Sequence, residues 1–211
     1  MAFGPEEFIK STDVSRETLD RLVVYEEILR KWQRKINLIG PKTVDEIWFR
    51  HIYDSAQIFP YLPKNAKTLI DMGSGAGFPA LVLSIMGVPD VHMFESDSRK
   101  CAFLREAARS TGSKVTIHND RIESIPPFPA DIVTARALAP LSQLLEYAIP
   151  FVSTQTLCVF QKGKQYKEEL TNANYVWHIN SREIESLTDR DGRLVLIKGY
   201  SDASEPSGKT D

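Results

Sequence analysis

The glycine-rich segment after the first predicted strand constrains the fold of this chain more than any other feature. Residues 68–72 (TLIDM) form a short apolar run typical of a buried strand, glycines follow at positions 73, 75 and 77, and a helical pattern begins at Phe78-Pro79. Glycine permits positive φ and a close approach of the backbone to a ligand. Proline suits the first turn of a helix. A strand, a glycine turn and a helix in this order predict a parallel α/β sheet with a cofactor site at the turn.

The segments that follow repeat the same alternation of strand and helix. Further strands are predicted at 91–95, 114–118, 130–134 and 156–160, with helices between most of them. Near the end, residues 175–179 and 193–197 have only the turn 189–192 and a short connection between them, which favours an antiparallel pair. The sequence therefore predicts a Rossmann-like α/β fold whose sheet is mostly parallel, with an antiparallel pair at its C-terminal edge.

The first third of the chain shows helical periodicity and no strand pattern. Residues 15–36 read as an amphipathic helix with Ser15 as its N-cap, and Thr43 with Glu46 reads as a capping box that starts a second helix. We therefore expect one structural domain: a helical extension (1–65) packed on a core (66–200). The polar segment 201–211 is predicted to be a disordered tail.

The residues around the glycines indicate which cofactor is bound. A dinucleotide fingerprint needs glycine where this chain has Phe78, and a P-loop needs a lysine that is missing here. Glu95, at the end of the second strand, can accept hydrogen bonds from both hydroxyls of a ribose. Asp97 is the neighbouring alternative, although it also suits an N-cap. Ile122 and Glu123 follow the third strand, where they can flank an adenine, but Glu123 can equally be an exposed acid at a helix start.

The end of the fourth strand carries Arg136 in the segment 134–140 (TARALAP). The glycines and Glu95 together indicate a nucleoside site that fits a methyl donor, S-adenosylmethionine, and different methyl acceptors place different demands on the end of the fourth strand. The segment 134–140 has neither the Asn/Asp-Pro-Pro-Tyr/Phe loop common in amine methylation nor the cysteine that methylation of a pyrimidine C5 requires. A ring nitrogen such as guanine N7 already carries a lone pair, so its methylation needs neither that loop nor that cysteine. Arg136 can therefore bind O6 of a guanine, a phosphate or the methyl donor, or it can pair with an acid near the pocket.

The charge and the cysteine content of the chain do not by themselves identify a substrate or a metal site. The net charge of −2 offers no general attraction for nucleic acid, so an RNA substrate would need local patches. Two exist, one with Arg34, Lys35 and Arg50 and one with Lys164, and both can also be ordinary solvated faces. The two cysteines lie far apart outside any ligand motif, so no metal site is expected. With no signal peptide and no long apolar run, the expected location is cytoplasmic.

Taken together, these motifs resemble one family closely. The chain is similar to the bacterial small-subunit ribosomal RNA guanine-N7 methyltransferases, also called glucose-inhibited division protein B. The matching segments are 36–39 (INLI), 50–55 (RHIYDS), 71–79 (DMGSGAGFP), 95–100 (ESDSRK), 103–104 (FL), 121–123 (RIE), 135–137 (ARA) and 162–163 (KG). They span nearly the whole chain, and the RHIxDS helix combined with GFP and ARA is far more specific than the glycines alone.

The resemblance implies a class I methyltransferase fold, S-adenosylmethionine as methyl donor, and a guanine of small-subunit ribosomal RNA as acceptor. The implied donor contacts are Asp71, Gly73, Gly75, Gly77, Phe78, Glu95, Ile122, Glu123 and Arg136. Arg136 would also face the acceptor, and Lys162 would face the RNA. The residues after the GFP segment (80–82) and Asp97 depart from the usual pattern without removing any of these ligands.

Several alternatives stay open on sequence alone. His51 lies on the apolar side of its predicted helix, where a structural or RNA-contacting role is expected, and Asp54 can pair with Arg50 four residues away. A small-molecule methyltransferase, a protein that senses the donor without turnover and a nicotinamide oxidoreductase are rival functions. The expected partner is small-subunit RNA or a ribosomal particle, and we expect a monomer that has no contact with membranes.

Overall fold

The computed structural model of the chain describes residues 3–203. Its α-helices are α1 (Pro5–Thr12), α2 (Arg16–Gln33), α3 (Asp54–Ala56), α4 (Ala80–Ile85), α5 (Ser98–Thr111), α6 (Leu141–Ala148) and α7 (Tyr166–Ala173). Its strands are β1 (Thr68–Met72), β2 (Asp90–Phe94), β3 (Val115–His118), β4 (Ile132–Arg136), β5 (Leu157–Lys162), β6 (Trp177–Glu185) and β7 (Arg193–Asp202).

These strands form one sheet in the order β3-β2-β1-β4-β5-β7-β6. The five strands β1 to β5 pair in parallel, and β7 pairs antiparallel with both β5 and β6. The strand order reverses between β1 and β4, so the chain leaves the centre of the sheet in two directions and opens a crevice at the carboxyl ends of these strands. The predicted α/β fold with an antiparallel C-terminal edge is confirmed.

The N-terminal helix α2 packs against the sheet-covering helix α5. The Ser15 hydroxyl accepts a hydrogen bond from Thr18 N, as its predicted capping role requires. The buried face of α2 belongs to the same hydrophobic core as β1, α4 and α5. Arg21 strengthens this contact because its Nε donates to Thr111 O over 2.7 Å. Asp97 caps α5 by accepting from Arg99 N and Lys100 N.

The segment after α2 differs from the prediction. Instead of one regular helix, the chain forms a 3₁₀-helix (Pro41–Glu46), a π-helical turn (Trp48–Tyr53) and the short α3. The expected capping box at Thr43 is wrong, because the helix begins two residues earlier, where Pro41 suits its first turn. The Thr43 hydroxyl donates instead to Gly40 O over 2.8 Å.

The C-terminal edge is longer than its sequence pattern suggests. Strand β6 extends to Glu185 and β7 to Asp202, and the sequence pattern does not predict helix α7. Ser201 and Asp202, which the pattern assigns to the tail, pair with His178 and Trp177, so that expectation is wrong for these two residues. The remainder of the predicted tail, 204–211, lies outside the described residues. Within residues 3–203, no helix combines the length and apolar character that crossing a membrane requires.

Candidate active site

Two cavities meet at the carboxyl ends of β1, β2, β4 and β5. The first, called here the glycine cavity, has a volume of 390 Å³ and is lined by residues 73–76, 94–96 and 120–123, among others. The second, the polar cavity, has a volume of 710 Å³ and is lined by the loop 38–43, the turn around His51 and the end of β5, among others. Both cavities are lined by Leu38, Arg136, Ala137 and Leu138. A group held in one cavity can therefore reach a group held in the other beside Arg136.

The glycine turn lies close to other atoms at two of its three glycines. Gly73 has a φ of +69°, and a Cβ there would lie 2.7 Å from Leu138 Cδ1. Gly77 has a φ of +91°, and a Cβ there would lie 3.1 Å from the hydroxyl of Tyr25. Glycine is required at both positions because other residues rarely adopt this φ and their side chains would collide.

Glu95 is a buried carboxylate of the glycine cavity, and backbone donors fix it in place. Its Oε2 accepts from Gly75 N over 2.9 Å, and its Oε1 accepts from Asp97 N over 2.8 Å. The residue is 8% exposed. A carboxylate has about four acceptor positions, so two bonds leave it able to accept from a vicinal diol. Ile122 and Glu123 also line this cavity, as do Gly73, Gly75 and Phe78.

The glycine cavity is also lined by residues to which the sequence analysis gives no role, among them Lys100 and Tyr147. Lys100 lies in α5, one turn after Glu95, and Tyr147 lies in α6, which is remote in sequence. Lys100 belongs to the segment 95–100 that matches the family, so the sequence contains a signal for its place in the site. Nothing in the local pattern distinguishes Tyr147 from an ordinary helical residue.

Asp71, which precedes the turn, and Gly77, which ends it, are not among the residues that line the glycine cavity. Asp71 is buried; its Oδ1 accepts from the Thr134 hydroxyl over 2.7 Å, and its Oδ2 has no hydrogen-bond partner. Burial raises the pKa of Asp71 to about 7, although the hydroxyls of Ser74 and Thr134 oppose this shift. Asp71 therefore supports the turn.

Arg136 lies between the two cavities, and its guanidinium is held on several sides. Its Nη1 is 3.2 Å from Asp54 Oδ2, and its Nη2 is 2.9 Å from His51 Nδ1. Its guanidinium carbon also lies 5.0 Å from the centre of the Phe78 ring. Pairing with an acid, one of the roles left open by the sequence, is thus observed.

His51 is neutral in this arrangement. Burial is the main reason that its pKa is lowered to about 3, and the guanidinium groups of Arg136 and Arg50 add to the effect. Its Nδ1 faces the N–H of Arg136, and its Nε2 lies 2.8 Å from the Thr43 hydroxyl, which itself donates to Gly40 O. These neighbours assign the proton of the ring to Nε2 and make Nδ1 an acceptor. His51 therefore acts as a support for Arg136.

Asp54 is the central hydrogen-bond acceptor of the polar cavity. The sequence analysis does not predict this role. Besides Arg136, its carboxylate accepts from the hydroxyl of Thr188 over 2.5 Å and from the amide groups of Gln57 and Gln161 over 2.8 and 2.7 Å. The expected pairing of Asp54 with Arg50 is wrong. The fold brings Arg136 and the β6–β7 loop closer to Asp54 than its neighbour along the helix.

Arg50 and Lys162 line the polar cavity but are already paired. Arg50 Nη1 donates to Thr188 O over 2.9 Å, and its Nη2 lies 3.4 Å from Asp189. Lys162 has a side chain only 9% exposed, and its Nζ lies 2.5 Å from Glu169 Oε2 and 2.9 Å from Ala139 O. In the described structure, Lys162 therefore holds the loop between β4 and α6 rather than standing free on the surface.

That loop contains a strained residue. Ala137 has a φ of +52°, a left-handed conformation that costs a non-glycine residue roughly 1–2 kcal/mol. Leu138 follows it and packs where a Cβ on Gly73 would lie. The bonds from Lys162 to Ala139 O and from Leu141 N to Glu169 therefore fix the wall that the two cavities share.

The remaining candidate RNA contacts are exposed. Arg34 and Lys35 lie at the end of α2, and neither lines a cavity described above. Lys164 lies in a surface depression that continues from Gly163 toward α7. The structure leaves these three cations accessible without bringing them into one cluster with Arg136.

The glycine cavity fits the nucleoside part of S-adenosylmethionine. It offers a fixed carboxylate for a ribose, a backbone turn that allows close approach, and apolar side chains such as Ile122 beside it. The cavity also opens onto the polar cavity at Arg136, so a methyl group held at their junction would face an acceptor.

The chain matches one family of known proteins over most of its length. Residues 18–196 match the family model GidB, described as rRNA small subunit methyltransferase G. The chain is 52% identical to the Ribosomal RNA small subunit methyltransferase G of Paramagnetospirillum magneticum, over 94% of this chain and 97% of that protein. The protein of the same name from Rhodospirillum rubrum is 49% identical, over 92% and 96%.

Solved structures show the same fold at low identity. A putative O-methyltransferase from Klebsiella pneumoniae has a TM-score of 0.59 and 13% identity over 92% of this chain and 94% of that chain. A mutant of MtNAS in complex with S-adenosylmethionine has a TM-score of 0.56 and 13% identity over 92% and 83%. The sequence matches cover nearly the whole chain. The chain therefore belongs to the GidB family, the rRNA small subunit methyltransferases G.

Proposed function

We propose that this enzyme transfers a methyl group from S-adenosylmethionine to N7 of a specific guanine in small-subunit ribosomal RNA. The observation that carries the proposal is the junction of the two cavities at Arg136. The bound donor supplies an electrophilic methyl group on a sulfonium. The residues of this chain then need to position two reactants and keep the donor apart from water.

The glycine cavity is the proposed donor site. Glu95 would accept from the ribose hydroxyls while its two backbone donors hold the carboxylate in place. Gly73 and Gly75 would allow the donor to approach the turn closely, and Ile122 with Glu123 would flank the adenine. Asp71 and Gly77 would contribute indirectly, by fixing the shape of the turn.

The polar cavity is the proposed acceptor site. Guanine presents N7 and O6 on one edge, and an arginine is the usual partner of that edge. Arg136 would donate to O6 and leave the N7 lone pair directed toward the donor. Since His51 has a pKa of about 3, it is a poor base, which agrees with a reaction that removes no proton before transfer.

RNA contacts outside the cavities are assigned to the exposed cations Arg34, Lys35 and Lys164, with Arg50 and Lys162 acting through the cavity wall. The enzyme is proposed to act as a monomer, on naked RNA or an assembled small-subunit particle, in the cytoplasm where ribosomes are made.

The test uses labelled S-adenosylmethionine with small-subunit RNA, and with ribosomal particles, from cells that lack the enzyme. Wild type should place one N7-methylguanine in the RNA. A variant with Glu95→Gln should bind the donor more weakly in equilibrium dialysis. Label that appears only in small molecules, or at a base atom other than N7, would refute the proposal while the donor-binding measurement still shows that the protein is folded.

A further inference from the structure

Leu187 is an exposed apolar side chain in the β6–β7 loop, between two residues that line the polar cavity. It is 61% exposed, and its two neighbours in sequence, Ser186 and Thr188, both line that cavity. Single exposed leucines are common on protein surfaces and need no explanation by themselves. The surroundings of Leu187 separate it from that ordinary case.

The backbone beside Leu187 is hydrogen-bonded to residues around Asp54 in the polar cavity. Leu187 N donates to Gln57 Oε1 over 2.8 Å, and Thr188 binds Asp54 through its hydroxyl and Arg50 through its carbonyl. The same Asp54 carboxylate pairs with Arg136. The leucine is thus presented on a loop whose position is set by the groups that line the proposed acceptor site.

Arg136 lies too deep for a base that remains stacked in RNA. Its side chain is only 19% exposed, and its guanidinium lies between His51, Asp54 and Phe78. Enzymes that act on a base at such depth take the nucleotide out of its stack. Extrusion leaves a gap between the neighbouring bases, and proteins commonly insert an apolar side chain between unstacked bases.

Three exposed cations are sequence neighbours of residues that line the polar cavity. Each stands beside a residue that lines the polar cavity: Lys42 beside Thr43, Lys164 beside Gly163, and Arg190 beside Asp189. Cations in this position suit the phosphates of the strand on either side of an extruded nucleotide.

We propose that Leu187 is a wedge that fills the gap in the RNA stack while the acceptor guanine occupies the polar cavity. This proposal rests on the proposed function. It assigns to Leu187 a contact with the bases that flank the acceptor, and it makes the β6–β7 loop part of the RNA interface.

The first test compares Leu187→Ala with Leu187→Met and with Tyr175→Ala, using the full chain and the RNA that wild type methylates. Tyr175 is 79% exposed and precedes β6, at the end of that strand away from Glu185 and the cavity, so it serves as the control. Loss of the wedge should lower the methylation rate about tenfold, because the gap left by the extruded nucleotide would stay unfilled. Leu187→Met keeps apolar bulk and should restore most of the rate. Donor affinity should stay at the wild-type value in all three variants.

The second test observes extrusion directly. The acceptor guanine is replaced by 2-aminopurine, whose fluorescence rises when it leaves the stack, and each variant is added with the demethylated donor product. Wild type, Leu187→Met and Tyr175→Ala should raise the fluorescence, and Leu187→Ala should raise it less. Equal rates and equal fluorescence for wild type and Leu187→Ala would overturn the wedge. A wild type that methylates no RNA would instead overturn the proposed function.

Discussion

The glycine cavity contains a backbone turn and a buried carboxylate that lie close together in sequence, whereas the polar cavity contains a carboxylate bonded to side chains that are distant in sequence. In the first, the turn 73–76 and Glu95 lie within 23 residues. In the second, Asp54 meets Arg136, Gln161 and Thr188, which come from three different parts of the chain. We therefore expect the glycine cavity to depend on its glycines and the polar cavity to depend on its network of hydrogen bonds. Mutations in the two cavities should have different effects on donor binding and on RNA methylation.

The largest effect is expected at Arg136, one of the residues that line both cavities. Arg136→Ala should lower kcat for RNA methylation by about 10²–10³, the usual loss when one placed donor is removed from an active site. Arg136→Lys keeps the charge but cannot bind Asp54 and His51 together, so it should restore only part of the rate. Steady-state kinetics on the RNA substrate give the measurement. A loss below threefold would show that Arg136 does not act on both reactants.

In the glycine cavity, Glu95→Gln should weaken donor binding about 30-fold. The reason is that hydrogen bonds to a charged group contribute about 1.5–3 kcal/mol, and the new amide would turn an NH₂ toward a backbone N–H. Calorimetric titration with S-adenosylmethionine measures the affinity, and Glu27→Gln, which changes an exposed carboxylate on α2 outside both cavities, is the matched control. Weaker RNA binding with unchanged donor affinity would contradict the separation of the two cavities.

In the polar cavity, Asp54→Asn should lower kcat/KM for RNA about tenfold while donor affinity stays unchanged. The variant preserves shape but removes the charge that Arg136, Gln57, Gln161 and Thr188 share, and an ion pair of this kind contributes on the order of 1.5–3 kcal/mol. Asp189→Asn, which removes the more exposed partner of Arg50, should have a smaller effect. Equal losses in the two variants would indicate a general effect of charge instead of a positioned Arg136.

Asp71, which is buried next to the glycine turn, should make the free energy of unfolding depend on pH. Its pKa in the folded protein is about 7, above the ordinary value of 3.8, so the folded state binds more protons between these values. The stabilisation it contributes is complete below pH 3.8 and is lost as the pH rises through 7. The free energy of unfolding of wild type minus that of Asp71→Asn should therefore fall between about pH 4 and pH 7 in urea titrations. A difference that rises over this range would show that Asp71 is ionised in the fold.

The smallest effect is expected where a side chain supports the turn from outside the cavity. Tyr25, on α2, donates from its buried hydroxyl to the carbonyl of Ala76. Tyr25→Phe should cost about 1 kcal/mol of stability, a typical net value for one hydrogen bond. Urea unfolding measures this cost, and donor affinity should change less than it does in Glu95→Gln. A loss of donor affinity as large as in that variant would mean that the N-terminal helices set the shape of the donor site.

Sequence patterns predict this structure most accurately where interactions between neighbouring residues determine the local conformation. The strands predicted at 68–72 and 91–95 agree with the structure to within a residue, because short apolar runs between turn residues suit buried parallel strands. Ser15 and Asp97 are caps, as predicted, because their side chains bond the backbone two or three residues away. The helix expected from Thr43 is wrong because Pro41 and the packing of residues 48–53 set its start and its form.

The glycine turn and Glu95 belong to the part of the molecule that the sequence determined by itself. Glycine permits positive φ wherever it stands, and the end of a strand follows from its apolar run, so both features can be predicted from the local sequence. The partners of Arg136, His51, Asp54 and Lys162 were decided only by the tertiary structure. Their contacts join elements up to 134 residues apart. No local pattern encodes which of several nearby acids a buried cation meets, because packing of the whole sheet determines that distance.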